Sequence, residues 1–117
     1  MKIKLINEPQ GFRENWFTNQ SNVDLVNKIN SEVDSIILFT QSQKELMVEL
    51  PILSKYVGLN GEFLVFVPGK LSSIVSDLKS DLVISLAENC GLKLNGKNIY
   101  DKSWDYYIFL KNHTVTK

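Results

Sequence analysis

The sequence holds one histidine, His113, and one cysteine, Cys90, so nucleophilic or proton-transfer chemistry near neutral pH has few carriers. A nucleophile works only with a base within hydrogen-bond reach. Cys90 closes an apolar, helix-like pattern, where a lone cysteine serves as a small core residue. His113 stands in a polar tail of the kind that frays, so the two are not expected to share a site. A single cysteine also excludes an internal disulfide and a zinc site built on paired thiolates. No group of His, Cys, Asp and Glu has metal-ligand spacing. Asp77 precedes a helix-like pattern and is expected to cap it; Glu88, Asp101 and Asp105 read as surface charges.

Residues 68–73, Pro-Gly-Lys-Leu-Ser-Ser, contain the Gly-Lys pair of a phosphate-binding loop. The complete loop needs a glycine five residues before that pair and a hydroxyl directly after the lysine, to face phosphate and metal. Leu64 and Leu71 occupy those two places, so this is not such a loop. A looser anion site is left, with Lys70 as a point charge and Ser72 and Ser73 as donors. An exposed turn with a solvated lysine is the preferred expectation, because most such loops only connect.

Those side chains must be carried by alternating strands and helices. Residues 2–6 read as a strand, and Pro9 and Gly11 break the chain after it. Phe12, Trp16 and Phe17 at helical spacing predict a short helix over 12–19 with Trp16 and Phe17 in the core, and 22–26 a weaker strand. Ile36-Ile37-Leu38-Phe39 is continuously apolar, as in a strand covered on both faces of a parallel sheet. Ser42 and Glu45 form an S-x-x-E capping box for a helix with Leu46, Met47, Leu50, Leu53 and Val57 on one face. Pro51 should bend that helix and Gly58 end it in the left-handed conformation.

A second buried strand spans 63–67 and stops at Pro68-Gly69. The helix capped by Asp77 should turn Leu78, Leu82, Val83, Leu86 and Cys90 inward and end at Gly91, with a start at Ser73 as the alternative. Residues 95–100 and 104–110 read as two strands whose short connection makes them antiparallel. One of Tyr106 and Tyr107 should be more exposed, since neighbours on a strand face opposite sides. The expected product is a single α/β domain over 1–117, a three-layer sandwich with helices on both faces of one sheet.

Four stretches together resemble a small bacterial family of unknown function, whose members look like cut-down S-adenosylmethionine-dependent methyltransferases. They are Leu5-Ile6-Asn7-Glu8-Pro9-Gln10-Gly11-Phe12, Asp34 to Phe39, Gly61 through Asp77-Leu78, and Gly91-Leu92 followed by Trp104 and Lys111. The sequence departs from the family at Val67, where a tryptophan is usual, and at Gly69, which separates Pro68 from Lys70. The resemblance implies a Rossmann-like mixed sheet in the order 2-1-3-4-6-5, with the last strand antiparallel between strands 4 and 5. It also implies that the loop after strand 1 held the cofactor. Such a loop needs several glycines so that backbone can approach the ligand, whereas this one has Gly11 alone and is stiffened by Pro9. Asn27-Lys28 stands where strand 2 would offer a carboxylate to ribose hydroxyls; Glu8 is the substitute, with a solvated loop carboxylate the simpler expectation.

The expectation is therefore a non-catalytic methyltransferase-like domain that takes no cofactor and binds a protein or small molecule. The alternative is a small enzyme or anion- or nucleotide-binding protein, using the crevice beyond the carboxyl ends of strands 1, 3 and 4. Asn7, Glu8, Gly11, Thr40, Gln41, Lys70, Ser72 and Ser73 would form that crevice. Thirteen basic and thirteen acidic residues cancel, and no basic stripe is present, so nucleic acid is not an expected partner. No apolar run approaches the roughly 20 residues of a membrane span, and the expected location is cytoplasmic. The edge strand near Val23 offers a route to a homodimer.

Overall fold

A computed structural model of the chain describes residues 1–18, 20, 22–29, 31–70, 72 and 76–111. Its elements are β1 (Lys2–Ile6), α1 (Phe12–Trp16), β2 (Asp24–Leu25), β3 (Val33–Phe39), α2 (Gln43–Leu53), β4 (Val57–Pro68), α3 (Ser80–Asn89), β5 (Leu92–Ile99) and β6 (Trp104–Lys111). One sheet contains all six strands in the order β2-β1-β3-β4-β6-β5. The first four are parallel, while β6 runs antiparallel to both β4 and β5. The strand order is the one the sequence led us to expect.

Strand periodicity divides the apolar runs between two faces. Ile36, Leu38, Phe63, Val65, Tyr107 and Phe109 pack against Leu46 and Leu50 of α2 and Val83 and Ala87 of α3. Ile37, Phe39, Leu64, Phe66 and Trp104 face the other way, joining Ile3 and Leu5 of β1 and Phe12 of α1. The second face is dominated by aromatic rings. Phe66 stacks on Phe39 at 4.3 Å and on Tyr106 at 4.8 Å between centroids, and meets Phe12 edge-on at 5.2 Å. Trp16 and Phe17 pack on this face from α1 and its end, as expected. Tyr107 is buried on the helical face and the neighbouring Tyr106 only half-buried, in line with strand alternation.

The capping signal is half reciprocal. The Ser42 hydroxyl accepts from the Glu45 N–H at 3.1 Å, but the Glu45 carboxylate turns back to the Gln41 N–H and the Thr40 hydroxyl instead of to Ser42. Replacing Ser42 with alanine leaves the Glu45 N–H without its acceptor. This should lower unfolding stability by about 1 kcal/mol, read as a shift in urea midpoint at unchanged slope.

Several local expectations are corrected. Gly58 does not terminate α2. The helix stops at Leu53, a single 3-10 turn covers Ser54–Tyr56, and Gly58 lies inside β4. Pro51 offers no N–H to the carbonyl of Met47, so the ladder loses a rung just before this end. Met47 is half exposed, because Leu46, Leu50 and Leu53 already supply the buried stripe. Asp77 does not cap α3, which begins at Ser80 after Lys79 without any side-chain cap. Its carboxylate accepts instead from the Gln43 N–H at 2.8 Å and so completes the start of α2. Val83 and Ala87 are the fully buried residues of α3, with Leu78, Leu86 and Cys90 at the margin of that core. The alternative helix start at Ser73 lies outside the described residues, as does His113.

Gly91, with φ of 83°, ends α3 as expected. β4 and β5 begin at 57 and 92, ahead of the expected 63 and 95, α1 is shorter than expected, and β2 is a two-residue edge strand. β4 enters the sheet irregularly: Val33 pairs with Val57 and Ser35 with Glu62, so two steps on β3 span five on β4. Asn60, with φ of 67°, and Gly61 lie within that bulge. Among the described residues no helix is long and apolar enough to cross a membrane.

Candidate functional site

Because β1, β3 and β4 are parallel, their carboxyl ends gather Asn7, Glu8 and Gly11, then Thr40 and Gln41, then Lys70 and Ser72, at one end of the sheet. The three groups meet different fates.

The first turns the chain from β1 into α1. Asn7 and Gly11 adopt left-handed φ values of 61° and 89°, and the Phe12 N–H donates to the Pro9 carbonyl at 3.2 Å. Asparagine and glycine are the residues that take such values at least cost. The Asn7 side chain is exposed and has no hydrogen-bond partner among the described residues. Glu8 is committed: its carboxylate pairs with the Arg13 guanidinium at 2.6 Å, and only 18% of its side chain remains exposed. The solvated carboxylate expected at Glu8 is replaced by this ion pair.

Thr40 is buried, its N–H donating to Phe66 and its hydroxyl directed at the Ser42 carbonyl and Glu45 carboxylate. The Gln41 N–H is spent on the same carboxylate. This middle group serves the start of α2.

Lys70 and Ser72 face the β6 side of β4, away from β1. They line a cavity of about 430 Å³ with Lys79 and Ser80 at the start of α3, and Lys97 and Tyr107 from the β5–β6 hairpin. Ser73 lies outside the described residues. The Tyr107 and Ser80 hydroxyls are 2.7 Å apart, and the Lys97 ammonium lies 3.5 Å from Ser80 Oγ and 5.2 Å from the Tyr107 ring centroid. Sequence reading missed Lys79, Ser80, Lys97 and Tyr107 as site residues. Their only signal was the strand order itself, which sets the β5–β6 turn beside the end of β4.

A larger cavity, about 750 Å³, opens at the opposite end of the sheet on the aromatic face. Ile3, Ile37 and Leu64 line it along with Trp16, Phe17 and the bulge at Leu59-Asn60-Gly61. Among the described residues no group of His, Cys, Asp and Glu could hold a metal ion.

No family model matches the sequence, and no curated protein sequence matches it. Solved structures do. A TehB-like S-adenosylmethionine-dependent methyltransferase from Corynebacterium glutamicum superposes with a TM-score of 0.65 at 14% identity, covering 95% of this chain and 80% of its own. The chain shares the fold of that methyltransferase. An S-adenosylmethionine-dependent methyltransferase from Clostridium acetobutylicum gives a TM-score of 0.60 at 11% identity, over 95% of this chain and 83% of that one. Magnesium protoporphyrin IX methyltransferase from Synechocystis, solved with S-adenosylmethionine bound, gives 0.60 at 6% identity over 85% of this chain and 50% of its own. Identities this low carry the architecture only, which agrees with the resemblance drawn from the sequence motifs. Within the methyltransferase fold, the turn leaving β1 is the one built from Asn7 to Gly11.

Proposed function

We propose that this chain is a methyltransferase-fold domain without methyl-transfer activity that binds a protein or small molecule in the cytoplasm. The Glu8–Arg13 pair carries this reading. The turn leaving β1 has one carboxylate to offer a ribose, and that carboxylate is already held at 2.6 Å by a guanidinium. The guanidinium takes Oε2 and fixes the side chain against α1, which leaves only Oε1, held in that position, to accept from a hydroxyl. Gly11 is the sole glycine of that turn, and α1 spans only five residues, a short donor end for a nucleotide-like ligand.

The test is thermal unfolding with S-adenosylmethionine and S-adenosylhomocysteine. A ligand at a hundred times its dissociation constant adds about 2.7 kcal/mol of stability. The expected result is no shift with either compound at about 1 mM, which corresponds to a binding free energy weaker than roughly −4 kcal/mol. A saturable shift that disappears in an Asn7→Ala variant would overturn the proposal.

A further inference from the structure

We infer that the cavity between the end of β4, the start of α3 and the β5–β6 hairpin binds a small phosphorylated molecule. The inference rests on the reading of the chain as a binding domain and gives that domain a ligand class. Three lysines from three separate segments, Lys70, Lys79 and Lys97, line this cavity. Among the described residues none of the three has an ion-pair partner. The one carboxylate in the lining, Asp105, lies against Gly69, its Oδ1 only 2.9 Å from where a Cβ on that glycine would stand. Three ammonium groups and one carboxylate leave two net positive charges.

The hydroxyls add to this surplus of donors. Tyr107 is 2% exposed, and its hydroxyl pairs with Ser80 at 2.7 Å. One proton of that pair is used between them. The second has no acceptor among the described residues, and the other group near Ser80, the Lys97 ammonium, is itself a donor. The first N–H groups of α3 face no capping side chain. Lys70, Lys79, Ser80 and Lys97 are exposed, so water serves these donors in the free protein, and a phosphate monoester would replace it with oxygens carrying a charge of about −1.5 to −2 at neutral pH.

The rest of the ligand has a place as well. A second cavity of about 710 Å³ shares Gly69, Lys70, Lys97 and Asp105 with the first and adds Asn98, Ile99 and the oppositely charged Asp101 and Lys102. Ile99 is 76% exposed, a large apolar side chain open to solvent at the hairpin. An organic body carrying the phosphate would cover it.

Titration of the full chain with phenyl phosphate at constant ionic strength, followed by amide NMR, tests the assignment. Saturable shifts are expected at Ser80, Asp81 and Leu82, with weaker binding by inorganic phosphate, which cannot cover Ile99. Lys79→Gln and Lys97→Gln should each weaken phenyl phosphate binding roughly tenfold, the loss of one charge-assisted bond. Lys93→Gln, on the same strand outside the cavity, should leave it unchanged. Shifts that grow linearly without saturation, or equal affinity in all three variants, would overturn the inference. So would co-sedimentation with phosphatidylcholine vesicles containing phosphatidate when phenyl phosphate fails to bind, since the phosphate would then be a lipid headgroup. Binding of S-adenosylmethionine at Asn7 would refute the non-catalytic reading and leave this titration as it was; a flat titration would do the reverse.

Discussion

Replacing Phe66 with alanine is expected to remove about 4 kcal/mol of unfolding free energy, the largest loss from any single truncation on the aromatic face. The ring is fully buried. It is stacked on Phe39 and Tyr106 and met edge-on by Phe12 at 5.2 Å, Trp16 at 5.5 Å and Tyr100 at 5.7 Å. Those neighbours come from β3, β6, α1 and the turn before β6, so the vacated space cannot close without moving elements that hold one another. Offset and edge-on ring pairs add roughly 0.5–1.5 kcal/mol each beyond the area buried. A domain of this size is held by only about 5–15 kcal/mol, so the variant should sit near its folding threshold. Urea unfolding followed by fluorescence and near-ultraviolet dichroism measures the loss. Phe66→Leu should cost less than half as much, and equal losses in the two variants would show that stacking of the ring, not the space it fills, carries the stability.

Gly61→Ala should cost about 2–3 kcal/mol for the opposite reason, too much atom instead of too little. A Cβ there would stand 2.6 Å from Val57 Cγ1 and 2.8 Å from the carbonyl oxygens of Asp34 and Gly58. Two of the three obstacles are backbone, and the third belongs to a fully buried side chain, so rotamer change gives little relief. The backbone of the bulge must open, pulling β4 from β3 where their register is already irregular. Gly96→Ala is the matched control: it also lies at a strand irregularity, but nothing is found within 4 Å of its added carbon. Its stability should stay within about 0.5 kcal/mol of the parent. Comparable losses at the two glycines would point to the strand irregularities themselves and not to contact at Gly61, since the unfolded chain's entropy favours alanine at both.

What could be read from the sequence depended on how far apart the deciding partners lie. The buried strands around Ile36 and Phe63 announce themselves because burial on both faces demands unbroken apolar runs. Ser42 was legible because its acceptor role is decided three residues away. Asp77 was misread because its hydrogen-bond partner, Gln43, lies 34 residues earlier; nothing local distinguishes an aspartate capping its own helix from one capping another. The same holds at the lysine-lined cavity. Ser80 meets Tyr107 across 27 residues, and Lys97 reaches them only because the sheet sets β6 beside β4. Lys70 and Ser72 carried a local signal, a partial phosphate loop, and they do line that cavity. Gly58 was misjudged through Pro51, whose missing donor bears on the helix end more than a glycine seven residues later.

The position of β6 has a bearing on how the chain assembles. It is sixth in sequence yet occupies an interior slot, hydrogen-bonded on one side to β4 and on the other to β5. Until residues 104–111 arrive, β4 presents an unsatisfied row of N–H and C=O groups along its whole apolar length. Unfilled edges of this kind recruit strands from other molecules. Synthesis therefore passes through a stage in which the apolar run of residues 63–67 waits for its last neighbour, and crowding at that stage is where misassembly would begin.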